Sequence, residues 1–262
     1  MITKAVNTTH NNFVLDPSNG NSLPIDASTY NPNLDLRGDF TIGTLVTYTK
    51  GSGTTTFKKG GTQTLTDSTT SKQDLGNVQI SVNSTNTTLN LGSSVKMSNV
   101  TIDASQTLSA NGANTLTCLG NWTHSGTFTP STGTVSFAGT GTQTLAGSTN
   151  FYNLSATTTA TRSILFTAGT TQSVASGGSV TFTGAASNLL TLASTSAGTQ
   201  WNLQADNAIA SQSISYVNVS DSNAGPFGTY AEMLATDGTS TDGNNNSNWD
   251  FGGKANGFLT WF

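Results

Sequence analysis

The groups able to do acid–base work in this chain are 13 carboxylates, and they are dispersed. Glycoside hydrolysis needs two carboxylates flanking one bond, roughly 5–10 Å apart. Lyase chemistry needs a base, with a cation or metal to stabilise the anion that forms. The closest acids in sequence are Asp35/Asp39, Asp67/Asp74 and Asp237/Asp242, and all fall in expected turns or on strand exteriors. From Asp103 to Asp206 no acid occurs. A cleft in an elongated enzyme would sit in that middle, so the sequence predicts no catalytic residues and no enzyme.

Metal chemistry has one place to look. Asp237, Asp242, Asn244, Asn245, Asn246, Asn248 and Asp250 form a dense run of oxygen donors, and calcium takes six to eight oxygens. The run lacks the spacing of an EF-hand loop, and Asp, Asn and Gly equally supply turn geometry. The expectation is no cofactor. Calcium at Asp237, Asp242 and Asp250 is the metal site the sequence offers. Cys118 is the single cysteine, so no internal disulfide forms. It alternates with Leu116, which predicts a buried small apolar side chain rather than a reactive thiol.

Composition narrows the partners. Charged residues make up 8% of the 262, and the net charge is -4. About a quarter is usual. The polarity comes from hydroxyls and amides, and the apolar residues are regularly spaced, which predicts a folded chain rather than a disordered one. The nine Lys and Arg are scattered, with Lys58-Lys59 the one adjacent pair. Phosphate binding needs a basic stripe, so nucleic acid is excluded as a partner. No apolar run is long enough to insert in a membrane. The first residues lack the apolar stretch of a signal peptide. Three origins fit a charge-poor, Thr/Asn-rich β protein: a piece of a longer chain, export without a cleaved leader, or a virion protein released by lysis. Met1-Ile2 without a leader leans to the virion. The expected location is extracellular, on a cell or virion surface.

The elements that would position any site are strands. Val78-Gln79-Ile80, Val100-Thr101-Ile102, Val135-Ser136-Phe137, Val180-Thr181-Phe182 and Trp201-Asn202-Leu203 each place two apolar residues around a polar one. That is a short strand with one buried face. The pattern recurs every 10–13 residues or so between Val180 and Ile214, as hairpins or solenoid rungs would give. Three stretches are also duplicated. LDLRGDF (34–40) matches LTCLGNW (116–122), GTQTL occurs at 61–65 and again at 141–145, and LGNV (75–78) answers FYNL (151–154). A copied unit of about 80 residues favours stacked rungs, here about 8–10 of roughly 20–35 residues. Phe40 and Trp122 are equivalent and predicted to be core, as is Trp201. The repeat reads as a block of several rungs copied along one solenoid. Tyr230–Ala235 is the one segment that could make a helical turn.

The ends differ from the middle. Residues 1–33 carry three of the five prolines and read as an N-terminal cap or arm. The solenoid occupies 34–251, with Trp249 covering its last rung. An apolar tail, 252–262, follows. Phe258, Leu259, Trp261 and Phe262 form an apolar end, either packing on itself or docking on a neighbouring copy or domain. Thr-x-Thr triplets at 64–66, 115–117, 127–129 and 181–183 would each turn two threonines outward. Stacked, they make the flat surface of an ice-binding solenoid, but Ser, Ala, Asn and Lys interrupt the ranks.

GNWTHSGTFTPSTGTVSFAGTGTQTLAGSTNFYNLSA (120–156) resembles repeats of large bacterial surface proteins, and 214–251 resembles the segment that ends their β-helix. These proteins are similar to autotransporter passengers and adhesins, and related modules occur in phage fibres. The resemblance covers most of 34–251 and implies an all-β, right-handed parallel β-helix (β-solenoid) with N- and C-terminal caps. No catalytic residue transfers with it. The expected function is a non-catalytic structural or attachment protein: a surface adhesin module, a filament subunit, or a phage fibre or decoration protein. Its expected partners are neighbouring copies or domains of one assembly, and cell-surface glycans. The alternatives are a carbohydrate-binding or polysaccharide-degrading β-helix and an ice-binding solenoid.

Overall fold

The computed structural model describes residues 8–17, 20–226 and 228–252. Among them there is no helix, and parallel strands stack as a β-solenoid of about 10 turns. Each turn lays strands on successive faces. Val100–Ile102, Thr107–Ser109 and Thr115–Cys118 follow one another and belong to three different sheets. Trp122–His124 then returns to the first, pairing in parallel with Val100–Ile102. Most side-chain bonds between neighbouring turns join residues 19 to 27 apart, which is the length of a turn. The first face is an 11-stranded sheet from Thr8–His10 to Thr241–Asp242. The second has six strands, from Phe13–Leu15 to Thr127–Thr129, and the third has eight, beginning at Val95–Met97.

Alternation produces the core. On the third face Val95, Leu116, Val135, Leu154 and Val180 stack in register, and all are buried. Beside them Met97, Cys118, Phe137, Ala156 and Phe182 stack, small residues separating rings. Phe40, Trp122 and Trp201 are all buried, as the repeat and the alternation predict. Outward positions on the same face are Thr117, Ser136, Ser155, Thr181 and Ser213.

The ladder reaches back before Leu34. Phe13–Leu15 pairs in parallel with Phe40–Ile42, and Leu23–Asp26 with Val46–Thr49. Where the next turn lacks a strand, Gln73 Oε1 accepts from Tyr48 N at 2.9 Å, and Asp74 bridges to Lys96. A side chain thus carries the stack across a gap.

Two expectations need correction. Tyr230–Ala235 makes no helical turn: Met233–Leu234 is a strand paired with Trp249–Asp250. Ala231 N and Ala235 N donate to Ala205 O and Asp250 O at 2.8 and 2.7 Å, so neighbouring turns take the backbone groups a helix would use.

The duplication, moreover, does not span a whole number of turns. LDLRGDF runs from the first face into the second, through Leu34–Leu36 and Phe40–Ile42. LTCLGNW runs from the third face into the first, through Thr115–Cys118 and Trp122–His124. Contacts inside each copy are nonetheless the same: Phe40 stacks on Leu65, and Trp122 on Leu145. The copied object is a corner with its flanking strands, displaced by one face. Turns of about 22 residues do not divide 80 evenly, and one corner geometry serves at either edge.

Candidate functional site

The polar side chains with the most partners sit at the corners. Gln63 and Gln143, the central residues of the two GTQTL motifs, are fully buried. Gln63 Nε2 donates to Leu36 O at 3.0 Å and Gly38 O at 2.6 Å, and its Oε1 accepts from Lys59 N at 2.9 Å. Gln143 repeats this with Cys118 O at 3.1 Å, Gly120 O at 2.6 Å and Gly139 N at 3.0 Å. Each glutamine satisfies the backbone of the corner one turn earlier, where the chain bends and the ladder lapses. They were not singled out by sequence, although Gln63 shares parity with inward Leu65, which is the signal that could have found them.

A second device is a column of asparagines at the corner entering the first face. Asn99 Nδ2 donates to Asn77 Oδ1 at 2.8 Å, Asn121 N to Asn99 Oδ1 at 2.7 Å, and Thr144 N to Asn121 Oδ1 at 2.9 Å. The first copy builds the same step with Asn12, Asp39 and Thr64, at 3.0 and 2.9 Å. Gly120 is required between them, because a Cβ there would run into Asn99 Oδ1.

Lys50, Asp74 and Ser98 bring chemistry-bearing side chains together from three stacked turns. Lys50 Nζ lies 2.7 Å from Asp74 Oδ2 and also donates to Ser98 Oγ, which donates in turn to Asp74 at 3.2 Å. Tyr48 adjoins them; burial, and then the Asp74 charge, pushes its phenol above the usual range. A serine beside a lysine evokes nucleophilic catalysis, but here the lysine faces a carboxylate and serves as an ammonium donor. The arrangement latches three turns together. Asp35 and Lys58 form a second ion pair, 2.6 Å apart.

Asp237, Asp242 and Asp250 are each turned to their own loop. Asp237 caps Thr239, Asp242 Oδ1 accepts from Asn244 N at 2.9 Å and Asn246 Nδ2 at 2.7 Å, and Asp250 Oδ1 accepts from Gly252 N at 2.8 Å. Among the described residues no three His, Cys, Asp or Glu side chains gather at metal-binding range. The asparagines between them close the solenoid. Asn246 accepts from Ser222 N at 3.0 Å and donates to Val219 O at 2.7 Å, and Asn245 donates to Asp221 at 2.7 Å. Asp221 was not singled out by sequence; its partners lie a full turn away. Trp249 Nε1 donates to Ser222 Oγ at 3.0 Å over the last turns. Phe258, Leu259, Trp261 and Phe262 lie outside the described residues.

Three titratable groups are drawn into the middle of the chain: Cys118 and Arg162 are buried and His124 is half-buried. Desolvation pushes the Cys118 thiol up to about 12, so it stays protonated and unreactive. Burial lowers the His124 pKa, and its Nδ1–H donates to Ser148 O at 2.7 Å. Arg162 is 4% exposed and points inward. Its Nη2 donates to Phe137 O at 2.6 Å and its Nη1 to Gln143 Oε1 at 2.8 Å, so carbonyls rather than a carboxylate solvate the charge. Burial alone lowers its pKa.

Beside Arg162, at the corner from the third face to the first, lies a groove of about 470 Å³. Thr140, Thr157, Thr159, Thr183, Ala138 and Gly184 line it, on three successive turns.

No family model matches the chain, no curated protein matches it, and no solved structure does.

Proposed function

We propose that this chain is a non-catalytic structural and attachment element that works outside the cell. It would serve as a surface adhesin module, a filament subunit, or a phage fibre or decoration protein. The observation carrying this reading is where the polar side chains are spent. Gln63, Gln143, the asparagine column and the Lys50–Asp74–Ser98 latch all tie one turn to the next. Such a chain is a stiff rod, because its turns are cross-linked to their neighbours by side-chain hydrogen bonds as well as by the ladder. The exterior it presents is rich in uncharged hydroxyls, which suits a long-lived extracellular element. The resemblance of 120–156 and 214–251 to bacterial surface repeats supports the same reading.

Its partners on this reading are neighbouring copies or domains of one assembly, since solenoid ends template further stacking unless capped. Electron microscopy with light scattering over a concentration series tests this. Ordered rods or closed oligomers are expected. A discrete monomer at the highest concentration would overturn the filament and virion readings.

A further inference from the structure

The groove at the corner between the third and first faces has four lining hydroxyls that are chemically unspent. Of the five threonines that line it, Thr158 uses its hydroxyl internally, on Ala160 O at 2.7 Å, as does Thr161 just beyond the groove, on Asn188 Oδ1 at 3.0 Å. The hydroxyls of Thr140, Thr157, Thr159 and Thr183, by contrast, hold no hydrogen bond within the described residues, and all four line the groove. Its volume, about 470 Å³, falls in the range of small-ligand sites. No charged side chain lines it.

Arg162 bonds to the wall of the groove from the inside. The guanidinium reaches under the corner to Phe137 O and Thr157 O, at 2.6 and 3.4 Å. Those carbonyls belong to consecutive turns, so a side chain, and not the backbone ladder alone, sets how the two corners are spaced. Thr157 and Thr183 stand in register on adjacent turns, so the hydroxyls repeat along the solenoid axis. They continue outward ranks of the same face, where Thr117, Ser136, Ser155 and Thr181 follow one another.

We infer that this groove binds a neutral oligosaccharide lying along the solenoid axis. An ionic ligand would find no counter-charge on the lining. An apolar ligand would strand four hydroxyls without partners, each a desolvation cost. A neutral sugar supplies what the lining lacks: hydroxyls to pair with the threonines, and C–H faces to lie on their methyls and on Ala138. The inference rests on the attachment reading and names its partner class.

The test is isothermal titration of the whole chain with cellohexaose, maltohexaose and the hexamer of N-acetylglucosamine, and with an oligogalacturonate as the acidic counterpart. Binding of at least one neutral hexamer, tighter than about 1 mM, is expected. The paired substitution Thr157→Val and Thr183→Val keeps shape and should weaken binding about tenfold or more, with an unchanged thermal melt. Thr159→Trp should block the groove by bulk, and Ser213→Val, elsewhere on the face, should leave affinity unchanged. Failure of all three neutral hexamers to bind, binding of the acidic oligomer alone, or full affinity in the paired variant would overturn the inference. Shortening of a bound hexamer would support the groove while overturning the non-catalytic reading, so the two failures are separable.

Discussion

The two copies of the duplicated corner use one backbone and two different chemistries. In the first, Phe40 stacks on Leu65, and the turns outside are joined by Asp35–Lys58 and Lys50–Asp74 at 2.6 and 2.7 Å. In the second, Trp122 takes the place of Phe40 and Thr117 and Ala138 take those of Asp35 and Lys58, so no ion pair remains. Instead Trp122, Phe128, Phe137 and Phe151 form an aromatic cluster, with centroids 5.2 to 6.3 Å from the indole. The indole N–H is satisfied by Thr149 Oγ1 at 3.1 Å. What both copies keep is the glutamine and its three backbone partners. The invariant element is therefore the satisfied corner; the core and the exterior are free to vary around it.

Exchanging residues between the copies tests that ranking. The largest effect is expected in the aromatic cluster. Trp122→Ala should cost about 5 kcal/mol and Phe40→Ala about 3, read from urea midpoints. Equal losses would remove the distinction between the cores. Next come the glutamines. Gln63→Leu leaves two carbonyls and one N–H buried without a partner, a cost of about 2 kcal/mol. Gln143→Leu strands an equivalent set and also deprives Arg162 Nη1 of its acceptor, so about 3 kcal/mol is expected. A neutral outcome at either position would mean the corner does not depend on the side chain.

A smaller difference should appear in acid. His124 occupies the place of Ile42 in the other copy. Burial lowers its folded-state pKa, so its contribution is full above about pH 6.5 and is lost as the pH falls through the lowered value. His124→Ile should flatten the stability profile between about pH 7 and 5; an unchanged slope would assign that dependence to the carboxylates. The smallest effect is expected from the ion pairs. Asp35→Thr with Lys58→Ala, the second copy's residues, should cost under about 1 kcal/mol and nothing in high salt.

The strands were legible because burial follows parity. Val135-Ser136-Phe137 alternates in sequence and in exposure alike, and the equivalence of Phe40 and Trp122 placed both in the core. The inward glutamines were legible only in part. The same parity puts Gln63 with Leu65, but a polar residue is normally assigned outward. The asparagine column, the Lys50–Asp74–Ser98 latch and Asp221 were not legible. Their partners lie 22 to 48 residues away, and turn length must be known before the register can be. The displacement of the second copy by one face was hidden for the same reason. Arg162 has no acid within reach in sequence, and nothing local announces that backbone carbonyls would take its charge.

The central claim is that these polar groups stack turns rather than cleave bonds, and reducing-end release from a panel of neutral and acidic polysaccharides tests it most directly. The account predicts no release above background for the native chain, and none for variants at Asp35, Asp74 or Asp221. Release that vanishes on replacing any one carboxylate by its amide would contradict it.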